Sequence, residues 1–365
     1  MNKKTKTVLS VTSVFVVSLS IALAFFSYQF LRSGVSSDNT EILFDVNPGQ
    51  SMPTVAQNLE SAKLVKSAKL FQWYSRYRGM NPKLKRGEYA LNAAMTPDEI
   101  LAVITSGKSV ARNFTVAEGL NMWDIAELLE RNNYGTKQEA FALFRDREFI
   151  QSLLGEKLDS LEGYLFPETY KVTKFDSQKD IITQMVRRFL SVYSEIQPEI
   201  LTFNQTFPQR KWNRNQLVTF ASIVEKETGA KEERPLVSSV FHNRLDKNMR
   251  LQTDPTVLYG VALVRGQMPK NITRNDLLTP TRHNTYTNYG LPPTPISNPG
   301  KEALLAALKP QSSKYLFFVS HNNGTHQFSE SLEAHNAAVK TFQVDPKARA
   351  GKSWRDLKKK PTTKN

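Results

Sequence analysis

Two carboxyls separated by a single lysine, Glu225-Lys226-Glu227, close a run that otherwise reads as a buried helix, ASIVEKETG from Ala221 to Gly229. At about 100° per residue, Leu217, Val218, Phe220, Ala221, Ile223 and Val224 cover one broad arc, and Lys226 lies outside it. Glu227 projects between Ile223 and Phe220, and Glu225 between Ala221 and Val218. A carboxyl held against Phe and Ile loses solvation, which favours its protonated form. A proton retained at neutral pH is what a general acid requires. The competing reading is an amphipathic helix with both glutamates at its wet edge.

Other polar clusters are weaker signals. Leu251-Gln252-Thr253-Asp254-Pro255 sets three polar side chains before a proline and reads as a turn. Gln252, Thr253 and Asp254 could also partner sugar hydroxyls and amides. Asn284 and Tyr286 offer similar chemistry, and Tyr286 or Tyr289 could lie flat on a sugar ring. The five histidines show neither a metal-binding spacing nor an HExxH motif. His321 and His326 fall across an expected hairpin tip, as surface residues. No Walker loop, GxGxxG or GxSxG occurs, and no metal or cofactor is expected.

The elements that must position these groups follow from periodicity and turn residues. A strand over 41–46, helices over 52–62 and 67–78 and a strand over 87–91 make a β-α-α-β order. Phe44, Val46, Gly49, Met52, Val55, Ala56 and Leu59 recur 70 residues later as Phe114, Val116, Gly119, Met122, Ile125, Ala126 and Leu129. This echo points to a duplicated strand-glycine-helix unit. A long helix is expected over 176–199, the glutamate helix from about Asn215 to a glycine stop at Gly229, and another helix over 232–247. Residues 279–300 hold five prolines and read as a long functional loop. A helix over 301–308, a strand over 315–319, a second strand near Gln327 and a helix over 332–342 complete the pattern.

Residues 8–31 carry no charge and are long enough to cross a bilayer as a helix. Lys3, Lys4 and Lys6 precede them and favour a cytoplasmic amino end. A cleaved signal peptide is the rival, since Ala22-Leu23-Ala24 resembles a cleavage site. Both readings export the body. The net charge is +15, and the chain has no cysteine, which excludes disulfide and thiolate chemistry. Export argues against nucleic acid as the partner of the basic charge. The carboxyl-terminal basic residues suit anionic lipid or wall polymer, or remain solvated.

Taken together, LEGYLFPETY (Leu161 to Tyr170), ASIVEKET, FHNRL (Phe241 to Leu245), LQTDPTVLYG (Leu251 to Gly260), HNTYTNYGLPP (His283 to Pro293) and YLFFV (Tyr315 to Val319) resemble the MltG, or YceG-like, family of endolytic murein transglycosylases. The resemblance implies an α+β protein: a cytoplasmic stub over 1–7, a transmembrane helix over 8–31 and a linker over 32–40. A LysM-like glycan-binding subdomain over 41–110, a YceG-like catalytic domain over 111–345 and a basic flexible tail over 346–365 would follow. It implies a single catalytic acid at Glu227, with Glu225 second, and sugar contacts from Gln252, Thr253, Asp254, Asn284 and Tyr286. It further implies cleavage of the β-1,4 bond of nascent peptidoglycan strands to 1,6-anhydro ends, at the plasma (inner) membrane and near peptidoglycan synthases. A non-catalytic wall-binding scaffold and a two-carboxylate hydrolase using Asp254 are the alternatives.

Overall fold

The computed structural model describes Ser18, Phe25 and residues 28–344. Most of the expected membrane span, the stub before it and the basic tail lie outside the described residues. Among the described residues no helix is long and apolar enough to cross a membrane. The protein is α+β, with helices predominating and strands paired two by two. The described residues divide into two compact units, one ending at Asn113 and including Lys171–Asp176, the other comprising Phe114–Tyr170 and the chain from Ser177.

In the first unit, β1 (Ile42–Val46) pairs antiparallel with β2 (Gly87–Leu91), with Phe44 opposite Tyr89. Between them run α1 (Met52–Ser61) and α2 (Ala68–Tyr77), and α3 (Pro97–Ser106) follows. Val46, Val55, Leu59, Phe71, Tyr89, Leu91, Ile100 and Ile104 form its core. The Thr96–Glu99 capping box starts α3, and Gly107 at φ 78° ends it, as left-handed caps do.

Strand β3 (Ala111–Thr115) pairs with β4 (Thr169–Thr173), and the second unit holds α4 (Met122–Arg131), α5 (Lys137–Arg145) and α6 (Arg147–Leu154). The helix expected over 176–199 is two, α7 (Gln178–Glu195) and α8 (Gln197–Thr206). Pro198 lies in the first turn of α8, where it is tolerated, but it cannot continue the ladder of α7. Then come α9 (Arg214–Glu227), α10 (Arg234–Asp246), α11 (Asp254–Arg265), α12 (Arg274–Leu278) and α13 (Lys301–Leu308). The hairpin β5 (Phe317–Ser320) and β6 (His326–Ser329) precedes α14 (Leu332–Val339). The echo is structural: both copies run from strand through a glycine of positive φ, Gly49 or Gly119, into a helix. Its other six positions in each copy are buried.

The proline-rich segment, residues 279–300, forms neither strand nor helix. It is nevertheless built into the core, with residues 295–300 buried. Asn298 pins it, donating from its amide to Leu120 O and Glu162 Oε1 and accepting from Leu165 N–H. Gly163 makes room for it at φ 89°, where a Cβ would stand 2.6 Å from Pro295 and 2.7 Å from Val218. Gly163→Ala therefore combines a left-handed backbone with overpacking. It should cost roughly 3 kcal/mol of stability, read as a lowered urea midpoint at unchanged slope.

Candidate active site

Helix α9 begins at an Asn213–Gln216 capping box, and every residue from Leu217 to Glu225 is buried. It is therefore a core helix rather than an amphipathic one with wet glutamates. Ser222 stitches it to the proline-rich segment, its Oγ accepting from Ile296 N–H at 3.1 Å. The helix ends at Glu227. Thr228 is extended (φ −136°) and its Oγ1 accepts from Ala230 N–H at 3.0 Å. Gly229 is thus not the left-handed stop expected from its position, because a threonine turn already terminates the helix.

The two glutamates face different surroundings. Glu225 is buried and fully engaged: Arg234 Nη2 donates to Oε1 at 2.5 Å and Gly300 N–H to Oε2 at 3.0 Å. The same Nη2 also reaches Glu118 at 3.1 Å. This carboxylate ties α9, α10 and the start of α13 together. Burial raises its pKa, against the Gly300 bond and Arg234.

Glu227 is half-buried and lines a cleft of about 450 Å³ with Phe241, Arg244, Gln252, Asp254, Tyr286 and Phe317. Burial pushes its carboxyl from the ordinary 4.5 up to about 7, opposed by the Thr253 hydroxyl, assisted by the charge of Asp254 and opposed again by Arg244. Its place on the last turn of α9 acts in the raising direction too, since free carbonyls there carry partial negative charge.

The segment read as a Thr-Asp-Pro turn is the start of a helix: Thr253 stands at the N-cap position of α11 without a side-chain capping bond, and Pro255 occupies its first turn, a favoured place for proline. Gln252 adopts φ 52°, a left-handed conformation uncommon outside glycine. Its N–H bonds Thr285 O at 3.2 Å, and Thr253 N–H bonds Thr285 Oγ1 at 3.0 Å. These bonds fasten α11 to the segment that carries Tyr286. Tyr286 Oη then donates to Asp254 Oδ1 at 2.6 Å. The Thr253 hydroxyl is buried without a well-formed hydrogen bond, beside the Glu227 carboxyl.

Of the expected sugar contacts, Gln252, Asp254 and Tyr286 line the cleft with Glu227. Asn284 does not. It is fully buried, its amide donates to Leu277 O and Thr279 O, and its Oδ1 accepts from Tyr286 N–H. It shapes the loop and leaves Tyr286 to face the cleft. Tyr289 lies elsewhere, under the Arg250 guanidinium. Arg244, Phe317, Phe318 and His335 complete the cleft and were not singled out from sequence. An arginine at the end of a helix whose neighbours Val240, Phe241 and His242 are apolar or aromatic was the available signal. His326 is not a bare surface residue, since its Nδ1 meets Glu233 Oε2 at 2.6 Å. A larger cleft of about 650 Å³ is lined by Trp212, Asn215 and Pro292 and contains neither glutamate.

The cleft holds one carboxyl poised to give up a proton near neutral pH, Glu227, beside Asp254 and the cation of Arg244. That arrangement suits acid-base cleavage of a polar polymer laid along the cleft. Comparison with known proteins points the same way. The sequence model of the YceG-like family matches residues 44–341. An endolytic murein transglycosylase of Bacillus subtilis is 35% identical over 340 residues, covering 89% of this chain and 91% of its own. One of Streptococcus pneumoniae is 27% identical over 366 residues, covering 89% of this chain and 64% of its own. The crystal structure of a yceG-like protein from Listeria monocytogenes matches 82% of this chain and 100% of its own, at 33% identity and a TM-score of 0.55.

A carboxyl raised in the folded state binds its proton more tightly there than in the unfolded chain, so stability falls as pH rises from about 4.5 to 7. Glu227→Gln removes that loss. The variant should match the native protein near pH 4.5 and exceed it by up to about 3 kcal/mol at pH 8, measured by urea unfolding at both pH values.

Proposed function

The chain belongs to the YceG-like family, and from that membership and the Glu227 cleft we propose that it is an endolytic murein transglycosylase, a lyase that cuts peptidoglycan glycan strands without consuming water. The observation that carries this reading is the division between the glutamates: Glu225 is spent on an ion pair, and Glu227 opens on the cleft with a carboxyl protonated near neutrality.

The reaction follows from one carboxyl used twice. Glu227 donates its proton to the oxygen of the β-1,4 bond between N-acetylmuramic acid and N-acetylglucosamine. The bond from the muramic anomeric carbon to that oxygen breaks, and positive charge develops on the carbon. The 6-hydroxyl of the same sugar attacks it, and the Glu227 carboxylate takes the hydroxyl proton. The product carries a 1,6-anhydro bridge and Glu227 regains its acid form. Hydrolysis with a separate nucleophile or water normally needs two carboxyls, whereas here the nucleophile is part of the substrate, with the advantage of proximity. Asp254, held by Tyr286, would stabilise the positive charge, and Gln252 and Tyr286 would orient the sugar. No cofactor or metal enters. Because Asp254 shares the cleft, a two-carboxylate hydrolase is the second reading.

Residues 8–31 anchor the chain in the plasma (inner) membrane with the amino end cytoplasmic, supported by their uncharged length and the preceding lysines. The body then acts on nascent strands outside that membrane, near the synthases that make them, and terminates their growth. The unit built on β1 and β2 is LysM-like and holds glycan, supported by its β-α-α-β order. The basic carboxyl-terminal residues favour anionic lipid or wall polymer.

Purified glycan strands digested by the native chain should yield new ends lighter by one water than hydrolytic ends, read by mass spectrometry. Ends of hydrolytic mass would establish the second reading instead. Glu227→Gln should lower turnover by about a thousandfold while strands still bind; unchanged cleavage in cells would favour a scaffold. Activity should fall as pH rises through about 7, the value at which Glu227 loses its proton.

A further inference from the structure

Arg244 is a charge that the reaction above does not require. It is 8% exposed, and no carboxylate among the described residues is within ion-pair distance of it. Burying a cation without a partner is costly. Its guanidinium is held rigidly: Nε donates to Leu316 O at 2.7 Å, and Nη1 donates to Leu251 O at 2.8 Å and Arg250 O at 3.2 Å. These carbonyls fix the plane of the group without neutralising it. Nη2 makes no hydrogen bond to any described residue. Beneath lies Phe317, with its ring centroid 5.2 Å from Cζ, and His335 stacks on Phe317 at 5.1 Å. Arg244, Phe317 and His335 all line the Glu227 cleft.

The nearby acids do not offset this charge in the reacting state. Glu227 acts in its protonated form, which carries no charge. Asp254 is held by the Tyr286 hydroxyl. A rigid planar fork with one free edge in a substrate cleft suits an incoming carboxylate. Murein supplies one at every second sugar: the lactyl group of muramic acid, free or joined to a peptide that carries its own carboxylates.

We propose that Arg244 forms an anion subsite, its Nη2 edge taking a carboxylate of the murein strand and so setting where along the strand the cut falls. The proposal rests on the transglycosylase reading and deepens it. Arg244 would touch the substrate away from the bond that breaks and determine specificity. A lysine there could not keep both the carbonyl tethers and the free edge.

The experiment compares the native chain on three glycan preparations: strands with intact peptides, strands stripped of peptide to free lactyl carboxylates, and stripped strands with those carboxylates methyl-esterified. Esterification should lower kcat/KM at least tenfold, mainly through KM, as expected for loss of a charged hydrogen bond. Arg244→Lys and Arg244→Met should cleave stripped and esterified strands equally. If intact strands are preferred over stripped ones, and the preference vanishes when their peptide carboxylates are amidated, the anion is the peptide's. Native cleavage of all three within twofold overturns the subsite, as does undiminished discrimination by Arg244→Met. The native comparison decides the matter even if the variants fail to fold. Absence of anhydro ends from every preparation would instead overturn the transglycosylase reading.

Discussion

Helix α9 has no solvated face between Leu217 and Glu225, and on a helix buried on all sides a polar group is costly unless it finds a partner. That constraint organises the second unit. Ser222 is met by the proline-rich segment, and Glu225 by Arg234 and the N–H of Gly300. Breaking one member of such a buried pair strands the other charge, at about 3–5 kcal/mol. The Glu225–Arg234 pair therefore fixes the helix end, and with it the direction in which Glu227, two residues on, enters the cleft. The glutamate that does no chemistry in the proposed mechanism is the one that aims the other.

The second copy of the strand-glycine-helix echo serves the same end. Its glycine, Gly119, turns at positive φ directly behind α9: a Cβ there would lie 3.5 Å from Glu225 Cγ and 3.6 Å from Lys226 Cδ. The carbonyl of Gly119 accepts from Lys226 Nζ, and the neighbouring Glu118 shares Arg234. Asn298 connects this turn to Glu162, a fully buried carboxyl whose pKa burial lifts to about 8. Glu162 in turn accepts from Met122 N–H at the start of α4, where a helix leaves donors unpaired. A carboxyl with a pKa near neutrality is thus not by itself a catalytic group. Glu162 and Glu227 are shifted by the same desolvation, and only Glu227 opens on a cleft.

Much of this was legible in the residues. The apolar arc of 217–224 marked a buried helix, and Phe220 with Ile223 marked Glu227 as a desolvated carboxyl. Strand and helix positions around β1 to β2 followed from alternation, Pro48-Gly49 and capping residues. The places where that reading parted from the structure have physical causes. Pro198 was passed over inside a strong helical period and split it. Thr253-Asp254-Pro255 carries the same residues whether it bends a loop or opens a helix, and what distinguishes the two is the apolar run after it, ending at Gly266 with φ 73°. Asn284 was grouped with Tyr286 by proximity in sequence, but neighbours in an irregular loop can point in opposite directions.

The sequence alone determined a helix with a broad apolar arc and two carboxyls against it, because periodicity and side-chain polarity are local properties; whether that arc is a buried core or one face of an amphipathic helix stays open at that level. It favours Glu227 only through Phe220 and Ile223, since both carboxyls abut the same arc. Their partners, Arg234 and Gly300 for one and Thr253, Asp254 and Arg244 around the other, come from segments distant in the chain. Only the tertiary structure brings those segments together, and whether a buried carboxyl is an ion-pair anchor or a poised acid depends on what stands opposite it.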